Sequence, residues 1–166
     1  MKSFKSLKSV LNEEWKDVDD SIENKVAGVC IIHDNKILLV HPTNASWQKR
    51  TLGIPKGKVE KGEDVLTGSI RELKEETGIE LDASILSKSE PYVCDLYDKN
   101  GNVEKQLIYF LHKIEDLSEI KMNSLRIPKN QLQAEEVDWA GFLTAEEAYP
   151  KISEWQLIIL DRHLNK

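Results

Sequence analysis

The sequence predicts an α/β domain, a sheet covered by helices, and three features predict it. Two apolar runs, Lys25 to Ile32 (KVAGVCII) and Lys36 to His41 (KILLVH), flank Asp34-Asn35 and read as a β-hairpin. Residues Asp64 to Thr77 read as a helix stopped by Gly78. The run Ser153 to Leu164 carries Trp155, Leu157, Ile158, Ile159, Leu160 and Leu164 and reads as a partly buried closing helix.

The elements follow in order. In residues 1–24, Phe4, Leu7, Val10 and Leu11 repeat at helical spacing, with Trp15 one turn later. This is an amphipathic extension to a domain at 25–164, lying on that domain or on a partner subunit. Mixed lysines and acids argue against a membrane-surface helix. After the hairpin, Pro42 opens a loop, PTNASWQKR. A second loop, KGKVEKGE, is rich in glycine and charge and leads into the central helix. A strand is expected around Leu86 to Tyr92, a turn at Gly101-Asn102, a strong strand at Lys105 to His112, and a short one at Val137 to Phe142. Residues 113–136 are polar and irregular. Thr144, followed three residues later by Glu147, has the pattern of a capping box.

A chain of 166 residues accommodates one domain with a real core. Its formal net charge of −6 argues against broad, charge-driven nucleic-acid binding, though not against a local basic groove. Cys30 and Cys94 lie far apart in apolar runs and read as buried free thiols of a reducing compartment. No apolar run approaches the ~18 residues of a membrane span. The polar N-terminus lacks the apolar core of a signal peptide. The expected location is cytoplasmic.

The chemistry concentrates in Gly57 to Ile79, GKVEKGEDVLTGSIRELKEETGI. At about 100° per residue, Glu72, Glu75 and Glu76 share one helical face. Leu66, Ile70, Leu73 and Thr77 form a separate stripe that faces the sheet. Like charges at this spacing destabilise a helix and raise one another's pKa unless a cation compensates. Hard oxygen donors suit Mg²⁺ or Mn²⁺. The alternative is a solvated acidic face, with Lys61 and Lys74 softening the repulsion. Gly68, inside the helix beside the glutamates, weakens it by ~1 kcal/mol relative to alanine. It marks either a close approach or a tolerated weakness. Lys56 and Lys58 flank Gly57, where they can meet phosphate oxygens. Gly57 can offer its carbonyl to a metal, and Arg71 can brace Glu63 or a phosphate.

Gly57, Glu63, Arg71, Glu72, Leu73, Glu75, Glu76, Gly78 and Ile79 match every fixed position of the Nudix box, and the segment resembles that family's signature. The resemblance implies a Nudix fold: an α/β/α sandwich with a mixed β-sheet and a loop-helix-loop catalytic motif. It implies a pyrophosphohydrolase that uses Mg²⁺ or Mn²⁺ to cleave a nucleoside diphosphate linked to another moiety. By position, Glu72, Glu75, Glu76 and the Gly57 carbonyl are implied metal ligands. Glu63 is the implied partner of Arg71. Glu72, Glu75 and Arg71 are also implied in catalysis. A general base is sought either in the box or in a distant loop, where Glu135 and Glu136 are the candidates and Glu104 follows them. Trp47, Tyr92 and Tyr97 are aromatic candidates for stacking on a base, against the alternative of core or strand-edge packing. Expected partners are a small-molecule nucleotide, such as a dinucleoside polyphosphate, or an RNA 5′ end. The chain is expected to be a monomer or homodimer with no membrane contact. The rival reading is a non-catalytic Nudix-fold module that binds nucleotides or regulates.

Overall fold

The computed structural model describes residues 22–165. The helical pattern of Phe4 to Trp15 lies outside the described residues. Strand β1 (Lys25–His33) and strand β2 (Lys36–Pro42) form the expected hairpin. Asp34 and Asn35 both take positive φ, 48° and 55°, as a two-residue turn matched to strand twist requires. Then come β3 (Lys56–Lys58), α1 (Val65–Thr77), α2 (Ala83–Leu86), β4 (Tyr92–Tyr97), β5 (Val103–Ile114), β6 (Val137–Thr144), α3 (Ala145–Ala148) and α4 (Leu157–His163). The sheet order is β4-β5-β1-β2-β6, with β3 also against β1. The β1–β5 pair is parallel along its whole length and the other strand pairs are antiparallel, so the sheet is mixed.

The hairpin strands diverge. β1 pairs with β2 only at Ile32–Ile37 and His33–Lys36. Residues 53–58 fill the wedge between them. Val40 bridges to Gly53, and Val26 to Gly28 pair with Lys58 to Lys56. The KGK segment, expected as loop, is therefore a strand. Gly28 makes room for it, since a Cβ there would lie 2.5 Å from the Pro55 carbonyl oxygen.

The strands alternate their side chains between two cores. Val29, Ile31, Leu38, Val40 and Phe110 pack with Leu73 of α1, while Cys30, Ile32, Ile37, Leu39 and Tyr109 pack with Ile159 and Leu160 of α4. Both cysteines are buried and not joined in a disulfide, as expected, and the Cys94 thiol donates to Trp155 O at 2.9 Å. The strand expected at 86–92 starts only at Tyr92. Before it, Asp82 caps α2 by accepting the Ser84 N–H at 2.9 Å, and Leu86 is fully buried. The closing helix is shorter than its apolar run. Its first turn, Glu154–Gln156, is a 3₁₀ turn whose buried Gln156 accepts the Ile54 N–H through Oε1 at 3.0 Å. The capping box at Thr144 forms as read. No helix among the described residues is long and apolar enough to cross a membrane.

Candidate active site

Helix α1 is positioned at both ends by its own sequence. Asp64 accepts the Thr67 N–H at 2.7 Å, and Gly78 takes φ 78° and returns its N–H to Lys74 O at 2.8 Å. Gly68, Ser69, Leu73 and Thr77 are buried against the sheet, so the buried face is wider than the apolar stripe. Glu72 is buried with them, at 7% exposure.

Arg71 organises the acids. Its Nε and Nη2 donate to both oxygens of Glu63, at 2.7 and 3.0 Å, in a bidentate pair. Nη1 donates to Glu72 Oε1 at 2.9 Å and to Glu75 Oε2 at 3.1 Å, and Nη2 also reaches Lys58 O at 3.1 Å. The Arg71 hydrogen bonds hold the Glu63 carboxyl down to about 2, and the Glu63 bond in turn raises Arg71 above its ordinary range. Gly68 has a specific place in this lattice. A Cβ there would lie 2.9 Å from Glu63 Oε1, so what approaches the bare backbone is the Glu63 carboxylate.

Glu72 lies against Gly57, where any Cβ would overlap its carboxylate. Burial raises the Glu72 pKa, opposed by the Arg71 hydrogen bond. Burial pushes Glu76 up to about 8, opposed by the positive charge of Lys56 and by the hydrogen bond from the Lys56 N–H to Oε1, at 3.2 Å. Burial lowers the Lys56 pKa, with Glu76 acting against it.

One carboxylate from across the chain joins the helix. Ligand oxygens of Glu72, Glu75 and Glu136 lie within 4.8 Å of one another. Glu136 precedes β6, on a loop held by two bonds from Thr43: N–H to Glu136 O at 2.9 Å and Oγ1 to Ala134 O at 2.7 Å. Three clustered carboxylate oxygens, with neither thiolate nor imidazole among them, fit a hard divalent cation such as Mg²⁺ or Mn²⁺. Glu76 lies outside this trio, engaged with Lys56. Glu135 is exposed and outside it as well. Glu104 is an exposed residue of β5, near its hairpin with β4, and is also outside the trio.

The aromatic candidates separate. Tyr92 is core-side, stacked on Tyr109 at 5.6 Å and edge-on to His163 at 4.7 Å, which corrects its candidacy for base stacking. Tyr97 is 51% exposed, with its hydroxyl 3.4 Å from Asp95 Oδ2. Trp47 is 49% exposed and stacks on His41. Sequence reasoning did not find Thr43 or the His41–Asp138 pair, in which Nδ1 lies 2.7 Å from Oδ1. Residues 97 and 91 positions apart meet in these contacts, and no local pattern signals them.

The chain matches the NUDIX domain family over residues 23–162. Its fold is similar to a MutT NUDIX hydrolase from Burkholderia pseudomallei, with TM-score 0.60 and 22% identity, covering 83% of this chain and 95% of that one. It is also similar to an Ap4A hydrolase of C. elegans in a binary complex, with TM-score 0.59 and 23% identity, covering 84% and 93%. A protein of Bacillus methanolicus described as a methanol dehydrogenase activator is 46% identical over 55 residues. Those residues are 33% of this chain and 30% of that protein's length.

Proposed function

The chain belongs to the NUDIX domain family, and from that premise we propose that it is a metal-dependent pyrophosphohydrolase acting on a nucleoside diphosphate linked to another moiety. One observation carries the reading. Glu72 and Glu75 of α1 and Glu136 of a distant loop bring carboxylate oxygens within 4.8 Å of one another. An acidic surface helix alone has no need of the third.

Glu72, Glu75 and Glu136 would hold Mg²⁺ or Mn²⁺, with the Gly57 carbonyl as a further donor. Bound there, the cation supplies charge neutralisation at phosphate oxygens and a more acidic water. The protein's own groups do the rest. Arg71 orients Glu72 and Glu75 through Nη1 and ties them to Glu63. Glu136 faces α1 from the opposite loop, where a carboxylate can accept the proton of an attacking water. Glu76 braces the Lys56 backbone and thereby the phosphate-facing loop. Lys56 and Lys58 carry positive charge to the substrate phosphates.

The test is turnover by the full-length chain on dinucleoside polyphosphates, nucleoside triphosphates, ADP-ribose, NAD, nucleotide sugars and 5′-triphosphate RNA, each with Mg²⁺ and Mn²⁺. A dinucleoside polyphosphate comes first because the C. elegans neighbour is described as an Ap4A hydrolase. Glu72→Gln is expected to slow turnover at least ~100-fold, the scale of losing a preorganised electrostatic or acid–base group, and Glu76→Gln to slow it on the same scale by releasing the Lys56 segment from the helix that carries the cluster. Melting curves should remain cooperative. Glu135→Gln is expected to behave as wild type. Metal-independent turnover, or Glu72→Gln at near wild-type rate, would overturn the reading. A second reading, a Nudix-fold regulator, draws on the description of the B. methanolicus relative. It predicts nucleotide binding with no release of phosphate-containing products from any member of the panel.

A further inference from the structure

The segment that supplies the third carboxylate is fastened to the helix that supplies the other two, by a side chain that the chemistry above does not use. Gln131 Nε2 donates to Thr77 O at 3.0 Å. A carbonyl can only accept, so the amide nitrogen is the end that faces it. Thr77 is the last residue of α1, where carbonyls have no partner inside the helix. Gln131 therefore caps α1 from 54 positions away. Gly78 is what lets it approach. A Cβ there would lie 2.6 Å from Gln131 Cγ, 3.1 Å from its Nε2 and 3.2 Å from its carbonyl oxygen. The glycine that stops the helix thus also seats the clamp on its bare backbone.

This bond lies between the acids in the chain. Glu72 and Glu75 precede Thr77 on one side, and Glu136 follows Gln131 on the other. From Gln131 to Glu136 the chain is compact. Leu132 N–H donates to Lys129 O at 3.1 Å, and the N–H groups of Glu136 and Val137 both donate to Gln133 O at 2.9 Å. Thr43 holds the far side of the turn. Among the described residues, Gln131–Thr77 is the hydrogen bond that joins it to α1. Ile127 and Val137 are buried and fix the ends of the loop. Its middle is flanked by two clefts. One, of about 230 Å³, lies between Gly78, Ile120, Lys121 and Gln131, and the other, of about 190 Å³, between Met122, Arg126, Pro128 and Gln131. Beside open space, a specific bond sets position where close packing does not.

We propose that Gln131 is a positioning residue: it sets the spacing of Glu136 from Glu72 and Glu75, and so the fit of the three carboxylates to a divalent cation. The proposal rests on the metal reading of that cluster. Gln131 is not itself a ligand and acts through Glu136. Losing one such hydrogen bond shifts an equilibrium roughly 2- to 13-fold.

The experiment is a double-mutant cycle on the full-length chain, with wild type, Gln131→Met, Glu136→Gln and the double variant. Methionine keeps the length of glutamine and removes the donor. Mn²⁺ alone is titrated without substrate and followed by electron paramagnetic resonance. Gln131→Met is expected to weaken Mn²⁺ about three- to tenfold in the wild-type background and less than about twofold in the Glu136→Gln background. On any substrate from the panel that is cleaved, kcat should fall about tenfold with KM within about twofold. Equal weakening of Mn²⁺ in both backgrounds would confine Gln131 to the scaffold and overturn the proposal. So would wild-type Mn²⁺ affinity in Gln131→Met. If Gln131→Met does not fold, Gln131→Asn, whose amide falls one methylene short of Thr77 O, is read the same way. Amide hydrogen exchange at Glu136 and Val137, measured without metal, separates this proposal from the reading it rests on. A wild type that binds no Mn²⁺ and cleaves nothing would remove the hydrolase reading. Faster exchange at those amides in Gln131→Met would then keep Gln131 as the clamp on Glu136, and unchanged exchange would overturn the clamp as well.

Discussion

The two faces of the sheet solve the burial of polar groups in different ways. On the α1 face, five bonds from one guanidinium tie Glu63, Glu72, Glu75 and the Lys58 carbonyl into a single lattice. All of those residues lie within Gly57 to Ile79. On the α4 face the polar contacts are smaller groups drawn from far apart: His41 with Asp138, Tyr109 with His163 at 2.9 Å and with Arg162 at 3.2 Å, Ile54 with Gln156. His41 Nε2, Gln156 Nε2 and Arg162 Nε are buried there with no partner among the described residues. A charge lattice concentrates many strong interactions on one residue, whereas the opposite face distributes weak ones over the whole chain. The first arrangement suits a site where negative charge must be gathered, and the second suits a scaffold that positions loops.

The sharpest way to break that contrast is Arg71→Gln. It leaves Glu63 and Glu72, with side chains 11% and 10% exposed, without their cation. Removing one partner of such a pair costs about 3 kcal/mol. Urea melts are expected to show that loss, and Mg²⁺ to restore part of it by replacing the missing positive charge. Equal loss with and without metal would mean that the lattice is not a cation site.

Acid titration gives each face a marker, although Glu76 of the α1 face, pushed up to about 8, overlaps the His163 window with the opposite sign, its contribution falling as pH rises from 4.5. Burial lowers His163 to about 4 from an ordinary 6.5, so the unfolded chain binds more protons and stability falls as pH drops from 6.5 towards 4. Glu63 lies at about 2 against an ordinary 4.5, so its contribution is full above 4.5 and is lost as pH falls through 2. His163→Phe should remove the loss of stability on going from pH 6.5 towards 4, leaving the opposite slope of Glu76 and the Glu63 window below 4.5. Chemical melts at half-unit pH steps would check it.

Thr43→Val gives a smaller effect. It removes the Oγ1 bond to Ala134 O and keeps the main-chain bond to Glu136 O. A stability loss of about 1 kcal/mol is expected, with a several-fold loss in kcat/KM because this tether holds the Glu136 loop. A loss of stability with unchanged kinetics would confine Thr43 to the scaffold.

Gly68→Ala is the smallest. Helix propensity favours alanine by ~1 kcal/mol, while the Cβ presses on Glu63 at 2.9 Å. The terms oppose, and Tm is expected to move by no more than about 4 °C. A large rise would mean that Glu63 moves aside without loss, and a large fall that the Glu63–Arg71 geometry is rigid.

By itself the sequence determined the hairpin, the capped helix, its sheet-facing stripe and the acids available on its other side. These depend on residues within a turn or two of one another, where periodicity and capping act. Only the tertiary structure decided which acids meet. Glu136 joins Glu72 and Glu75 while Glu135, its neighbour, does not, and Glu76 turns to the Lys56 N–H. It also decided that KGK is a strand, because β1 and β2 diverge and Gly28 leaves space for Pro55. It packed Tyr92 against Tyr109 and His163 and left Trp47 half exposed on His41. Each of these outcomes depends on contacts between segments roughly 20 to 100 residues apart. A side chain's fate there is set by what the fold brings against it, and no local spacing encodes that.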